Sequence, residues 1–149
     1  MIKNKIWTPQ PKQRLMLSRG EDEGFYGGAA GGGKSDYLVI EAVRQVNVGN
    51  YRGLILRKTV PELEQLIERA RYYYTQLCAD VKFNDTKHTF TFPSGAKVQF
   101  GSLFRTQDKF KYQGLQYDFI GFDELTQFTF DEYSYLKSRN RASGPGTRV

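Results

Sequence analysis

Gly28-Ala29-Ala30-Gly31-Gly32-Gly33-Lys34-Ser35 is the stretch that decides how the rest of this chain is read. Its spacing fits G-x-x-x-x-G-K-[ST], the P-loop that cradles a nucleoside triphosphate between a strand and a helix. A triphosphate needs several backbone N–H donors converging on its oxygens. Only residues with little or no side chain let the backbone come that close. On this pattern Gly28, Ala29, Ala30, Gly31, Gly32 and Gly33 line the phosphates of ATP. Lys34 brings a mobile positive charge to the β- and γ-phosphates, and Ser35 a hydroxyl for Mg²⁺. The positive end of the following helix strengthens the field.

A glycine-rich run is also how a flexible loop is written, so the flanks matter. Gly24-Phe25-Tyr26-Gly27 reads as the end of a short strand. Residues Lys34 to Val48 read as a helix, with Tyr37, Leu38, Ile40, Ala42, Val43 and Val46 available for burial. Strand, glycine loop and helix in that order are the context the motif requires.

Upstream, Pro11 opens a short helix over Lys12 to Ser18, with Leu15, Met16 and Leu17 partly buried. Downstream, Gly53-Leu54-Ile55-Leu56-Arg57 is an apolar run after the turn signal Gly49-Asn50 and predicts a buried parallel strand. Pro61 marks the first turn of a long amphipathic helix, with Leu63, Leu66, Ile67, Ala70, Tyr73, Tyr74, Leu77 and Cys78 at helical spacing. Thr89–Phe92 and Lys97–Phe100 alternate at period two around Pro93-Ser94-Gly95, which predicts a β-hairpin. Lys109-Phe110-Lys111-Tyr112 interleaves bases and aromatics, a pattern that suits nucleic acid but is more simply a solvated helix face. Residues 117–122 form a further buried strand, and Phe130 to Arg139 a helix with Tyr133 and Leu136 inward. The fold class expected is α/β: a P-loop NTPase with a mostly parallel sheet flanked by helices, plus the hairpin. The chain of 149 residues makes one domain, and it stops after a loop-like tail where another strand is expected, so C-terminal strands are expected to be missing.

Composition sets the outer limits. Hydrophobic and charged fractions of 39% and 26% are those of an ordinary globular protein. The net charge of +6 is compatible with a polyanionic partner such as nucleic acid, or simply with a basic surface. Cys78 is the sole cysteine, which excludes an intrachain disulfide and a cysteine-based zinc site and favours an intracellular location. The lysines near the N-terminus are followed by no apolar run of signal-peptide type, and no stretch has the length of a membrane span.

Asp123-Glu124 supplies the second half of a site. Ligands of a parallel α/β sheet gather at the carboxyl ends of its strands. Both the glycine loop and Asp123-Glu124 fall at such ends. An apolar strand ending in Asp-Glu is the Walker B pattern, in which Asp123 holds Mg²⁺ and Glu124 orients and deprotonates the attacking water. Two carboxylates capping the next helix would look the same in isolation. Hydrolysis also calls for an arginine to stabilise the charge spreading over the γ-phosphoryl group. Arg57, at a strand end, is best placed for that role, with Arg105, Arg139 and Arg141 as alternatives.

Together with Leu56-Arg57-Lys58-Thr59, Tyr112-Gln113-Gly114, Asp123-Glu124-Leu125-Thr126 and Ser138-Arg139-Asn140-Arg141, the glycine loop resembles the ATPase part of the large terminase subunit of tailed bacteriophages. The stretches stand in family order from about residue 10 to the end. The resemblance implies a motor that packages double-stranded DNA into a capsid, as a ring of copies docked on a portal protein, with a small terminase subunit as partner, in the host cytoplasm. It implies a further nuclease domain that this chain does not include. It also implies that Gln13, with Gln10 as rival, contacts adenine. Two positions depart from the pattern: Ala29 or Ala30, and Gln113, stand where many relatives carry an arginine. That puts the source of the arginine finger in doubt, with Arg57, Arg105 or a neighbouring subunit as candidates. Two other functions fit the motifs: another P-loop DNA motor of helicase or recombinase type, or a nucleotide-binding fragment without turnover.

Overall fold

The computed structural model describes residues 7–18, 23–27, 33–141 and 149. Nine regular elements follow in the order α1 (Pro11–Leu17), α2 (Lys34–Glu41), β1 (Arg52–Arg57), α3 (Val60–Leu77), β2 (Lys82–Asn84), β3 (Thr89–Thr91), β4 (Lys97–Ser102), β5 (Phe119–Phe122) and α4 (Phe130–Lys137) among the described residues. A 3₁₀ segment, Thr106–Tyr112, links β4 to β5.

The five strands form one sheet in the order β2-β3-β4-β1-β5. Strand β1 pairs in parallel with β4 on one side and β5 on the other. β2, β3 and β4 pair antiparallel. The sheet is therefore mixed, which corrects the expectation of a mostly parallel one. Lys82–Asn84 joins the hairpin as a third strand that the sequence does not announce, because only Phe83 of its three residues is apolar.

Period-two alternation divides the core into two layers. Ile55 of β1 and Phe119 of β5 face α2 and α3, with Val39, Leu63, Ile67, Ala70 and Tyr74. Leu54, Leu56 and Ile120 face the other way, onto Leu103, Tyr112, Phe128 and Leu136. Both sides of β1 are covered, which is why it reads as a continuous apolar run rather than as alternation. The amphipathic stripe of α3 behaves as expected at Leu63, Leu66, Ile67, Ala70 and Tyr74, while Leu77 is exposed. Pro61 stands in the first turn of α3, where its missing N–H is not needed.

Three local expectations change. The first is that residues 24–27 join no strand of the sheet among the described residues. The Gly24 N–H instead donates to the Val149 carbonyl at 3.1 Å. The second concerns α2, which ends at Glu41 rather than running to Val48. Val43, Arg44, Val46 and Val48 then donate to carbonyls three residues back, a tighter winding. The Tyr51 and Tyr74 hydroxyls hold that end of the helix by donating to the carbonyls of Ala42 (2.6 Å) and Val39 (2.7 Å). Burial raises both phenols above their ordinary range. The third is Leu15, which is exposed, while Gln13 is the buried residue of α1.

Helix α4 is fixed to the sheet by a buried charge. Thr129 caps it by accepting from the Glu132 N–H at 3.1 Å, and the Glu132 carboxylate accepts in return from the Thr129 N–H at 2.8 Å. The same carboxylate, fully buried, accepts from Lys58 Nζ at 2.8 Å, just past the end of β1. Burial works to raise the Glu132 carboxyl, but the Lys58 and Thr129 bonds outweigh it and leave the group below its ordinary value. A carboxyl lowered on folding stabilises the fold above its unfolded pKa and loses that contribution as pH falls through its folded pKa. Lys58→Met leaves Glu132 buried without its cation and should cost about 3 kcal/mol at neutral pH. Because Lys58 is what holds the Glu132 carboxyl low, that cost should shrink as pH falls and Glu132 takes up a proton. Urea melts of both proteins at neutral and acidic pH check this, and a cost that stays the same at both would rule the linkage out.

Candidate functional site

The pairing of β1 with β5 brings the predicted site together. Leu56 lies opposite Phe122, and the Asp123 N–H donates to the Leu56 carbonyl at 2.9 Å. That register sets Asp123 beside Arg57 at the carboxyl end of the two strands. The Arg57 guanidinium forms a hydrogen-bonded ion pair with the Asp123 carboxylate. On its other side Arg57 Nε stands 3.6 Å from Glu62 Oε2 in the first turn of α3.

Helix α2 delivers the second partner. Its N-cap is Gly33, with φ +71 in the left-handed region. Lys34 and Ser35 follow in the first turn. Ser35 Oγ donates to the Asp123 carboxylate, at 3.1 Å to Oδ2 and 3.4 Å to Oδ1. Asp123 is 5% exposed, so its charge depends on these two donors. Asp36 in the same turn pairs with Arg69 of α3, which raises the guanidinium and ties the start of α2 to α3.

Gly33 is held from outside the helix as well. Its carbonyl accepts from Tyr37 N–H at 3.0 Å and from Gln13 Nε2 at 2.6 Å. Gln13 Oε1 in turn accepts from the Gln10 N–H at 2.7 Å. Gln13 is 1% exposed and spends its amide on the backbone, clamping α1 to the start of α2. The left-handed φ favours glycine at Gly33, and a Cβ there would lie 2.2 Å from Gln13 Nε2 and displace the amide from its bond to the Gly33 carbonyl.

Glu124 follows Asp123 directly but is exposed, with φ +56 and ψ +56. A non-glycine residue in that region is strained, and such strain clusters at functional sites. Lys34, Asp123 and Glu124 line one cleft of about 570 Å³, together with Tyr26, Phe122 and Tyr133. Tyr133 donates to Glu23 at 2.5 Å; burial and that carboxylate raise the phenol, while Lys137 and Tyr133 lower the Glu23 carboxyl.

The other candidates stand apart. Arg105 is exposed beyond the end of β4. The backbones of Arg139 and Arg141 bond to Tyr117, at the opposite end of β5 from Asp123. Lys109 is buried and paired with Asp131, and Tyr112 is buried too, while Phe110 and Lys111 are exposed, so only half of Lys109–Tyr112 is a solvated face. Burial there follows from the packing of the 3₁₀ segment against α4, where Phe110 meets Tyr135 edge-on. Gly28, Ala29, Ala30, Gly31 and Gly32 lie outside the described residues. No group of three or more His, Cys, Asp or Glu side chains forms a metal cluster among the described residues. Nor is any helix of the described residues long and apolar enough to cross a membrane. Sequence reasoning missed Glu62, whose only signal was its place five residues after Arg57 across a helix start.

Residues 25–149 match the family model described as "Terminase large subunit, T4likevirus-type, N-terminal". The chain belongs to this terminase large-subunit family. No curated protein matches the chain. The match starts at Phe25, before the glycine loop, and spans Arg57, Glu62, Asp123 and Glu124. Membership points to a role in viral DNA packaging.

The strain at Glu124 gives a test of its own in this terminase-family chain. Glycine carries no Cβ penalty in the left-handed region, so Glu124→Gly should stabilise the fold by about 0.5–1 kcal/mol despite the added freedom of the unfolded chain. Denaturant midpoints of the two proteins decide it. A loss of stability would mean that the Glu124 side chain makes contacts outweighing its backbone strain.

Proposed function

We propose that this chain is the ATP-binding and hydrolysing portion of a DNA-packaging terminase motor, with a P-loop at Gly28–Ser35. The observation that carries the proposal is the Ser35–Asp123 hydrogen bond at 3.1 Å. It joins two residues 88 positions apart that the motif spacing had independently nominated as partners for one cation.

The oxygen donors suit a hard cation, and the buried carboxylate supplies the charge. Ser35 and Asp123 would hold Mg²⁺, which neutralises charge on the transferred phosphate when bound. The backbone of Gly28, Ala29, Ala30, Gly31, Gly32 and Gly33 donates to the phosphates. Lys34, lining the same cleft as Asp123, binds the β- and γ-phosphates. Glu124 stands exposed at the cleft and accepts the proton of the attacking water. Arg57 is the one arginine of the four candidates whose side chain reaches Asp123, which favours it over Arg105, Arg139 and Arg141 as the cationic stabiliser. Gln13 acts by holding Gly33, with its amide already committed to the backbone, rather than as the adenine contact.

In the assembled motor the substrate track is double-stranded DNA gripped without sequence preference, since a translocating protein must accept any backbone. The portal protein and the small terminase subunit are its partners, in a ring of copies in the host cytoplasm. The family match favours this motor over a helicase or recombinase.

Binding of a fluorescent ATP analogue by the chain tests the first step, and Lys34→Ala should weaken it at least about tenfold, as loss of a charge-assisted phosphate contact does. In a packaging motor carrying this segment, Glu124→Gln should keep nucleotide binding and lose turnover by about 100-fold or more. Undiminished hydrolysis by that variant would remove Glu124 from the mechanism.

A further inference from the structure

Arg57 occupies the carboxylate that the cation needs, and a second acid waits on its far side. Asp123 has two partners, the Ser35 hydroxyl and the Arg57 guanidinium. A divalent ion held between Ser35 and Asp123 would sit against a guanidinium bonded to the same carboxylate, and like charges a few ångströms apart repel strongly in a poorly solvated site. Arg57 is 16% exposed at its side chain, so retreat into water is not open to it without unpacking. Glu62 offers the alternative. Its Oε2 is 3.6 Å from Arg57 Nε, an ion pair but too long for a hydrogen bond. Arg57 Nε and Glu62 Oε2 are both buried, and both lack a hydrogen-bond partner among the described residues. A buried donor and a buried acceptor facing each other unpaired form an arrangement that a small shift of the guanidinium would improve.

We propose that Arg57 is a two-position gate on the metal site: without cation it neutralises Asp123, and on cation binding it transfers to Glu62, which is thereby a positioning residue for the site. The proposal rests on Asp123 being a metal ligand. The motion closes the Nε–Oε2 gap from 3.6 Å to an ordinary hydrogen bond of about 2.9 Å, so it needs no rearrangement of β1 or α3. It keeps Arg57 beside the cleft, bonded and oriented, at the moment when phosphate charge has to be met. It also explains why an acid stands in the first turn of α3 with one oxygen buried although the rest of the side chain is over a third exposed.

The test is Mn²⁺ binding to the protein without nucleotide, followed by the electron paramagnetic resonance signal of the free ion. Arg57→Gln removes the competitor and should tighten Mn²⁺ by about tenfold. Glu62→Gln removes the alternative partner, leaves Asp123 paired, and should weaken Mn²⁺ by about threefold. In the double variant the Glu62 effect should vanish, leaving the affinity of Arg57→Gln alone. A merely structural role for Glu62 would give the same loss in both backgrounds and would overturn the gate. Should Arg57→Gln fail to fold, Glu62→Gln still decides, because unchanged Mn²⁺ affinity in it also overturns the gate. Asp123→Asn separates the two levels. Mn²⁺ binding that is lost in Asp123→Asn but indifferent to Arg57 and Glu62 defeats the gate and keeps the metal site. Mn²⁺ binding that persists in Asp123→Asn defeats the metal assignment and the gate with it.

Discussion

The Asp123 carboxylate is the constraint on which the strand-end architecture depends. A buried carboxylate is tolerated only with charge-assisted hydrogen bonds to meet it. Its donors come from two other elements: Ser35 from the first turn of α2, and Arg57 from the end of β1. One anion therefore fixes the relative positions of α2, β1 and β5. The backbone register does the preliminary work, since the Asp123 N–H bonds to Leu56 and so sets the carboxylate one residue from Arg57. The interaction that organises the cleft is the one that a cation would have to reorganise, which is a reason for stability and reactivity to be coupled here.

Arg57 and Lys58 are neighbours in sequence and serve opposite faces of the sheet. The alternation that sends Ile55 to the α3 layer and Leu56 to the α4 layer continues past the strand end. Arg57 follows Ile55 and meets Glu62 of α3; Lys58 follows Leu56 and meets Glu132 of α4. Two consecutive cations thus tie both helical layers to one strand terminus. Phe128 lies under Lys58 at 5.6 Å and closes the α4 side of that junction. Many of the aromatics are spent in this way, on the layers, as Tyr74, Phe90, Phe100 and Tyr112 illustrate, while Phe25, Tyr72, Phe104, Phe110 and Phe130 stay exposed.

What was legible in the sequence was whatever rests on local pattern. The apolar run of β1, the stripe of α3 and the hairpin alternation all survive, because period and turn chemistry are local properties. The pairing of the glycine-loop helix with Asp123 was also legible, since two motifs each imply the other. What failed depends on neighbours. Residues 24–27 carry strand-like chemistry, but a strand exists only with a partner, and among the described residues they join none in the sheet. β2 is polar on its own and forms because β3 is there to pair with it. Leu15 and Gln13 exchanged roles for the same reason: the Gly33 carbonyl offers Gln13 an acceptor that no helical periodicity encodes.

The contrast between Asp123 and Glu124 shows how one dipeptide acquires two environments. Adjacent carboxylates on an extended strand point to opposite faces, so Glu124 would face the α4 layer if the strand simply continued. Instead the chain turns left-handed at Glu124, and the following Leu125–Gln127 turn begins at once. Asp123 is thereby kept inside the ion pair while Glu124 is put out into the cleft, exposed and without a share in that neutralisation. In the proposed mechanism, the carboxylate that receives a proton is kept off the guanidinium, and the one that would hold a cation is kept in place. The left-handed turn at Glu124 is what gives two consecutive carboxylates separate environments, one buried in an ion pair and one exposed at the cleft.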